Sequence, residues 1–178
     1  MSRKIVISGL SILASLALLG VGVYAALVST ATATSNTFSS TNPSLLISTN
    51  NTTFNTTVGG VTESGIIPGG TPVVHDFWLQ NTDTDPGATM NLTATINVTG
   101  GSGGSYNDNL SLTYTCGSTT AGPFSITAWN GHVPQSLGTL APGGVVHCTL
   151  STSLPSGDSV DAGKSVIFDT SFDGSVGS

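Results

Sequence analysis

The most regular feature of the chain is an uninterrupted alternation of apolar and polar residues over positions 90–99. The apolar positions are Met90, Leu92, Ala94, Ile96 and Val98, and the polar positions between them include Asn91 and Asn97. A period of two residues is typical of a β-strand with one buried and one solvated face. The pattern therefore predicts a strand whose asparagines point into solvent.

Shorter versions of this pattern recur along the chain and predict further strands. They cover residues 73–79, 110–116, 124–128, 146–154 and 166–172, and segment 38–47 is a further candidate. Two of them follow a Pro-Gly-Gly turn, at 68–70 and at 142–144. About seven to nine short strands, with no convincing long helix between them, predict an all-β protein. We expect a single antiparallel β-sandwich of the jelly-roll or immunoglobulin-like type.

Residues 1–25 have the pattern of a secretory signal peptide, which we expect to form a hydrophobic helix. Arg3 and Lys4 precede an apolar run at 5–23, and a small-residue exit ends at Ala25. This pattern predicts export to the cell exterior with cleavage by signal peptidase after Ala25, so that contact with the membrane is transient. The alternative is an uncleaved anchor, because this largely apolar run of about 19 residues also suffices to cross a bilayer core.

The chain is nearly uncharged. Charged residues make up 7% of it, and only Arg3, Lys4 and Lys164 are basic. Soluble proteins average about 25% charged residues, and binding of nucleic acid requires clustered Lys and Arg. Nucleic acid is therefore excluded as a partner.

Cys116 and Cys148 are the only cysteines of the chain. Each falls on the apolar face of its predicted strand, Cys116 with Tyr114 and Cys148 with Leu150. An even cysteine count in an exported chain favours a disulfide over a metal site or a reactive thiol. The sequence therefore predicts an intramolecular Cys116–Cys148 bridge.

Six Asn-x-Ser/Thr sequons are candidates for N-glycosylation: Asn50, Asn51, Asn55, Asn91, Asn97 and Asn109. Since Ser and Thr are so frequent in this chain, some sequons are expected by chance. Placement on a solvated strand face or at a strand end favours Asn91, Asn97 and Asn109 as the modified sites.

Sequence motifs of the common enzyme classes are missing. The three histidines, His75, His132 and His147, are too far apart for an H-E-x-x-H zinc site, and no G-x-S-x-G or phosphate-binding loop occurs. No catalytic residue is therefore predicted, and the protein is not expected to be an enzyme.

Asp83 and Asp85 form the one carboxylate cluster of interest, in an Asn-Thr-Asp-Thr-Asp-Pro-Gly segment at 81–87. Such a turn could supply two or three of the six to eight oxygens that calcium requires. The simpler interpretation is a solvated turn between two strands. No other cofactor is expected.

A β-prone segment without Gly, Pro or charge follows the signal exit. It consists of Ala26, Leu27, Val28, Ser29, Thr30, Ala31, Thr32, Ala33, Thr34 and Ser35. Soluble monomers usually protect an exposed strand with Lys or Pro. This strand should therefore be paired, either within its own sheet or by addition to the sheet of a neighbouring copy. Repeated head-to-tail addition of that kind produces filaments.

Two blocks of the sequence resemble the TasA/camelysin family of secreted biofilm-matrix proteins. The first block combines the exit Gly-Val-Tyr-Ala-Ala-Leu at 22–27 with Asn-Thr-Phe-Ser-Ser at 36–40 and Leu-Leu-Ile at 45–47. The second runs from Ile-Pro-Gly at 67–69 to His-Asp-Phe-Trp-Leu-Gln-Asn at 75–81. The resemblance covers the first half of the mature chain and the closing strand at 166–172.

The resemblance implies a jelly-roll-like sandwich in which residues 26–35 complete the sheet of the next subunit. The product would be a head-to-tail homopolymer whose fibres bundle laterally into a biofilm matrix. The chain is shorter than the bacterial members, nearly uncharged, rich in sequons and equipped with two cysteines, and in this it is most similar to archaeal bundling pilus subunits. Camelysins have been described as proteases, and the missing zinc motif argues against that activity here.

The predicted organisation is a signal peptide at 1–25, a donor strand at 26–36 and a sandwich domain at 37–178. Two other function classes remain open. A type IV-like pilin would keep its N-terminal helix as the filament core, although no processing site follows Lys4. A monomeric surface module would instead bind carbohydrate or metal through the turn that holds Asp83 and Asp85.

Overall fold

The computed structural model describes residues 32–33, 37–40, 44–59, 63–64, 66–101, 104–130, 134–157 and 164–176. The predicted signal peptide lies outside these residues, as do eight of the ten positions of the predicted donor strand. Within the described ranges, no helix has the length and apolar character needed to cross a membrane.

Twelve strands and two short helices make up the described part of the chain. The strands are β1 (Thr32–Ala33), β2 (Phe38–Ser40), β3 (Leu45–Ser48), β4 (Thr57–Val58), β5 (Glu63–Ser64), β6 (Val73–Asn81), β7 (Met90–Gly101), β8 (Ser111–Cys116), β9 (Thr119–Ser125), β10 (Gln135–Leu140), β11 (Val145–Ser153) and β12 (Val166–Val176). The helices are α1 (Ser105–Asn109) and α2 (Ile126–Trp129).

Ten of these strands form two five-stranded sheets, which confirms the predicted all-β sandwich. The β7 sheet has the order β10-β7-β12-β2-β4, and the β11 sheet has the order β3-β6-β11-β8-β9. Neighbouring strands are antiparallel except β2 and β12, which pair in parallel over three residues. The remaining strands, β1 and β5, pair with each other in a separate ribbon.

The alternation at 90–99 corresponds to β7 in the predicted phase. Met90, Leu92 and Ala94 are buried, whereas Asn91 and Asn97 are exposed. A strand can alternate in this way only if one of its faces packs on a core and the other meets solvent. The outer face of the β7 sheet is thus the face that carries these two asparagines.

Aromatic rings from both sheets meet at the centre of the sandwich. Phe77 of β6 lies 5.5 Å from Phe38 of β2 and 5.1 Å from Phe172 of β12, measured between ring centroids. Tyr114 of β8 packs edge-on against Phe77 and Phe172. These four rings are almost wholly buried, so they join the two sheets into one core.

One buried hydrogen bond also joins the sheets directly. The Tyr114 hydroxyl lies 2.7 Å from the Thr170 Oγ1 atom of β12. Both residues are fully buried, and a buried hydroxyl without a partner would destabilise the fold. The pair therefore fixes how β8 lies over β12.

Both predicted Pro-Gly-Gly turns are present. In the first, the amide of Gly70 donates to the Ile67 carbonyl at 2.9 Å; in the second, Gly144 donates to Ala141 at 3.0 Å. The middle glycines, Gly69 and Gly143, have positive φ angles of 70° and 65°. Glycine adopts such angles without the steric cost that other residues incur. Each turn before β6 and β11 can therefore form without backbone strain.

Two strand predictions need correction. The predicted strand at 124–128 ends at Ser125, and Ile126–Trp129 form α2 instead. The Ser125 hydroxyl accepts a hydrogen bond from the Ala128 amide at 3.2 Å, which is the capping interaction that stabilises a helix start. In addition, the single candidate strand at 38–47 is divided into β2 and β3, which belong to different sheets.

Candidate functional site

The predicted disulfide is present. Cys116 of β8 and Cys148 of β11 are direct cross-strand neighbours in the β11 sheet, with Cα atoms 4.1 Å apart. Both residues are buried, in the inward phase that the sequence predicted. The bridge therefore belongs to the core, and it limits the conformations that the unfolded chain can adopt between Cys116 and Cys148.

The sequons differ in accessibility. Asn50, Asn51, Asn55, Asn91 and Asn97 are exposed, whereas Asn109, at the end of α1, is half-buried. Asn50 and Asn51 lie in a loop after β3, and Asn55 bridges back to Ile47 through its backbone. The two sequons of β7 thus combine exposed side chains with a regular strand backbone.

We expect N-glycans on Asn91 and Asn97, and the lowest occupancy of the three favoured sites on half-buried Asn109, because an oligosaccharide needs a solvated side chain. Intact-mass measurement of protein from its native source should exceed the polypeptide mass. Each Asn→Gln substitution at 91 or 97 should remove one glycan mass. A spectrum with the bare polypeptide mass alone would contradict the prediction.

The turn that holds Asp83 and Asp85 is closed by hydrogen bonds between its own side chains and backbone amides. The Asn81 Oδ1 atom accepts from the Asp83 amide, Asp83 Oδ1 from the Asp85 amide, and Asp85 Oδ1 from the Gly87 amide, at 2.9 to 3.0 Å. Asx turns of this kind are what Asp and Asn commonly form between strands. In the part of the chain that is described, no three His, Cys, Asp or Glu residues are grouped closely enough to hold a metal ion.

Of the predicted donor strand, Thr32 and Ala33 are described. They form β1 and pair with Ser64 and Glu63 of the same chain. This ribbon belongs to neither sandwich sheet. The other donor-strand positions, 26–31 and 34–35, fall outside the described residues.

A polar and aromatic cluster on the outer face of the β11 sheet was not predicted from the sequence. His147 of β11 lies directly across from Trp78 of β6, and their rings stack with centroids 4.9 Å apart and planes 30° apart. The His147 Nε2 atom donates to the Asp76 carboxylate at 2.7 Å. The side chains of His147 and Asp76 are 52% and 56% exposed.

The strand phase alone places all three of these side chains outward, since Phe77, Leu79 and Cys148 point inward. The sequence does not reveal that β6 pairs with β11, or in which register. We call this cluster of Asp76, Trp78 and His147 the outer-face cluster.

Neither a family model nor a curated protein matches this chain.

Proposed function

We propose that the chain is the structural subunit of an extracellular filament, polymerised by donation of the strand at 26–35 to the next subunit. The observation that carries the proposal is the position of β1. Its described residues, Thr32 and Ala33, pair with β5 in a ribbon that belongs to neither sandwich sheet. Thr32 and Ala33 are the described residues of the donor segment, and their place outside both sandwich sheets is compatible with donation to a neighbouring copy.

The composition of this segment supports the same conclusion. An unprotected strand gains a row of backbone hydrogen bonds when it enters a partner's sheet, each worth about 0.5 to 1.5 kcal/mol net. Burial of Leu27 and Val28 would add roughly 1.5 to 3 kcal/mol for each side chain. Over about eight residues, these terms can exceed an association cost of roughly 4 to 15 kcal/mol.

The resemblance to the TasA/camelysin family and to archaeal bundling pili, noted for the segments at 22–47 and 67–81, supports a filament that bundles laterally in a biofilm matrix. Under this proposal the chain acts through assembly and not through catalysis. The sequons, the disulfide and the low charge suit a secreted fibre.

Deletion of the donor strand tests the proposal. We expect a variant that begins at Asn36 to remain monomeric and to unfold at lower urea concentration, because a sheet position stays unfilled. A synthetic peptide of residues 26–35 should restore the lost stability. Negative-stain electron microscopy and urea titration are the measurements. Normal filaments from the truncated variant would refute donor-strand assembly.

A pair of matched substitutions separates loss of the strand from a general effect of added charge. Val28→Lys should prevent filaments, since the charge would have to be buried in the partner. Val74→Lys adds the same charge at a position that is 53% exposed on β6, and filaments should still form.

Mass measurement of the mature N-terminus distinguishes cleavage after Ala25 from the type IV-like alternative, which retains the helix.

A further inference from the structure

We propose that the outer-face cluster binds a neutral polysaccharide, with Trp78 and His147 as the aromatic platform and Asp76 as the hydrogen-bonding group. The site goes beyond the proposed filament and does not depend on it. It is also distinct from the turn at Asp83 and Asp85.

The first argument is the chemistry of the three side chains. A sugar ring has an apolar face of C–H groups, which packs on aromatic rings, and an edge of hydroxyls, which hydrogen-bond to polar groups. Sites for small ligands typically combine aromatic side chains with a few such polar atoms. Trp78 and His147 supply the rings, and Asp76 supplies carboxylate oxygens that accept from hydroxyl groups.

The second argument is that the cluster is held in place before any ligand arrives. Trp78 and His147 are direct cross-strand partners within two nine-residue strands, β6 and β11. The hydrogen bond from His147 to Asp76 fixes the imidazole plane. A site built on rigid strands loses little conformational entropy on binding.

The third argument is access. On the side of β8, the residue beside His147 is Gly117, whose amide donates to the His147 carbonyl at 3.0 Å. A Cβ at Gly117 would meet Val146 at 3.5 Å and no atom of His147 within 4 Å, so access to the imidazole follows from its own exposure. The side chains of His147 and Asp76 are 52% and 56% exposed and Trp78 is half-buried, so a ligand can reach all three from solvent.

The fourth argument is charge, which selects a neutral ligand. Lys164 is the sole Lys or Arg among the described residues, and it precedes β12 of the opposite sheet. On the same face, Thr149 lies across from Asp76 and Gln80 follows Trp78 by two residues on β6; these neighbours carry hydroxyl and amide groups. With a carboxylate present and no Lys or Arg among these neighbours, an anionic polysaccharide or a phosphate group would be repelled.

The experiment uses the purified full chain and three neutral probes: cellohexaose, chitohexaose and laminarihexaose. Binding is followed by isothermal titration calorimetry and by tryptophan fluorescence, in which Trp78 should respond, because the other tryptophan, Trp129, is 98% buried. We expect at least one probe to bind. Failure of all three to bind at probe concentrations up to about 10 mM would overturn the proposal.

Variants assign the binding to the cluster. Trp78→Ala and Asp76→Asn should each weaken binding by about tenfold or more, whereas Trp78→Phe should stay within about threefold of the wild type. Val74→Ala, on the same face of β6 but outside the cluster, is the matched control and should leave binding unchanged. Equal affinity in Trp78→Ala and wild type would overturn the assignment, and urea titration of each variant verifies the fold.

A final arm distinguishes a free polysaccharide from the N-glycan of a second copy. The same titrations are repeated after enzymatic removal of N-glycans, with self-association measured by analytical ultracentrifugation. Binding of the probes by the deglycosylated protein supports the proposal. If instead only glycan-dependent self-association requires Trp78, the ligand is the glycan of a neighbouring copy, and the proposed polysaccharide is wrong.

Discussion

Replacement of Phe77 by alanine is expected to lower the free energy of unfolding by about 3 to 5 kcal/mol. The ring of Phe77 is 1% exposed and contacts Phe38, Phe172 and Tyr114, so it packs against strands of both sheets. Its removal leaves a cavity where aromatic rings of the two sheets meet. Urea unfolding followed by circular dichroism measures the loss.

Two controls make this result specific. Phe77→Leu preserves most of the volume and should cost less than about 1.5 kcal/mol. Val74→Ala lies on the same strand with its side chain 53% exposed and should change stability by less than about 0.5 kcal/mol. A cost below about 1 kcal/mol for Phe77→Ala would contradict the central role of this ring.

The second large effect is expected from removal of the disulfide. The bridge closes a sequence separation of 32 residues, for which the chain-entropy model gives roughly 3 to 4 kcal/mol of stabilisation. The double variant Cys116→Ala, Cys148→Ala should therefore unfold at a distinctly lower urea concentration. Since both sulfur atoms lie in the core, alanine introduces no unpaired polar group there.

Reductant provides the matched control for the disulfide. Dithiothreitol should destabilise the wild-type protein by about the same amount as the double substitution and should leave the double variant unchanged. If wild type and variant unfold at the same urea concentration, the bridge contributes nothing to stability and the prediction is wrong.

The sandwich and the disulfide could be predicted from the sequence because both depend on which residues of each strand face the core. In β7 and β8, every second residue is apolar, and burial of one face follows from that spacing alone. Cys116 and Cys148 fall in the same inward phase as their apolar neighbours. Two inward cysteines in a chain with no others leave a single possible pairing.

The parts that could not be predicted depend on competition between local patterns or on distant partners. Phe124, Ile126 and Ala128 alternate as a strand would, yet Ile126 and Trp129 are also three residues apart and are both buried on one turn of α2. Segment 38–47 is predicted as a single strand, but its two ends form β2 and β3, which belong to different sheets. In the outer-face cluster, residues 76 and 147 meet only because β6 and β11 are neighbours.

The parallel pairing of β2 with β12 imposes an order on folding. Phe38 pairs with Thr170, and the Thr37 amide donates to the Asp169 carboxylate across 132 positions of sequence. Every strand of the β11 sheet lies between residues 45 and 153, so that sheet can form without the C-terminal strand. The β7 sheet cannot close until Val166–Val176 pairs with both β7 and β2. Such non-local contacts slow folding, and β2 therefore joins the rest of its sheet only after the C-terminal strand is in place.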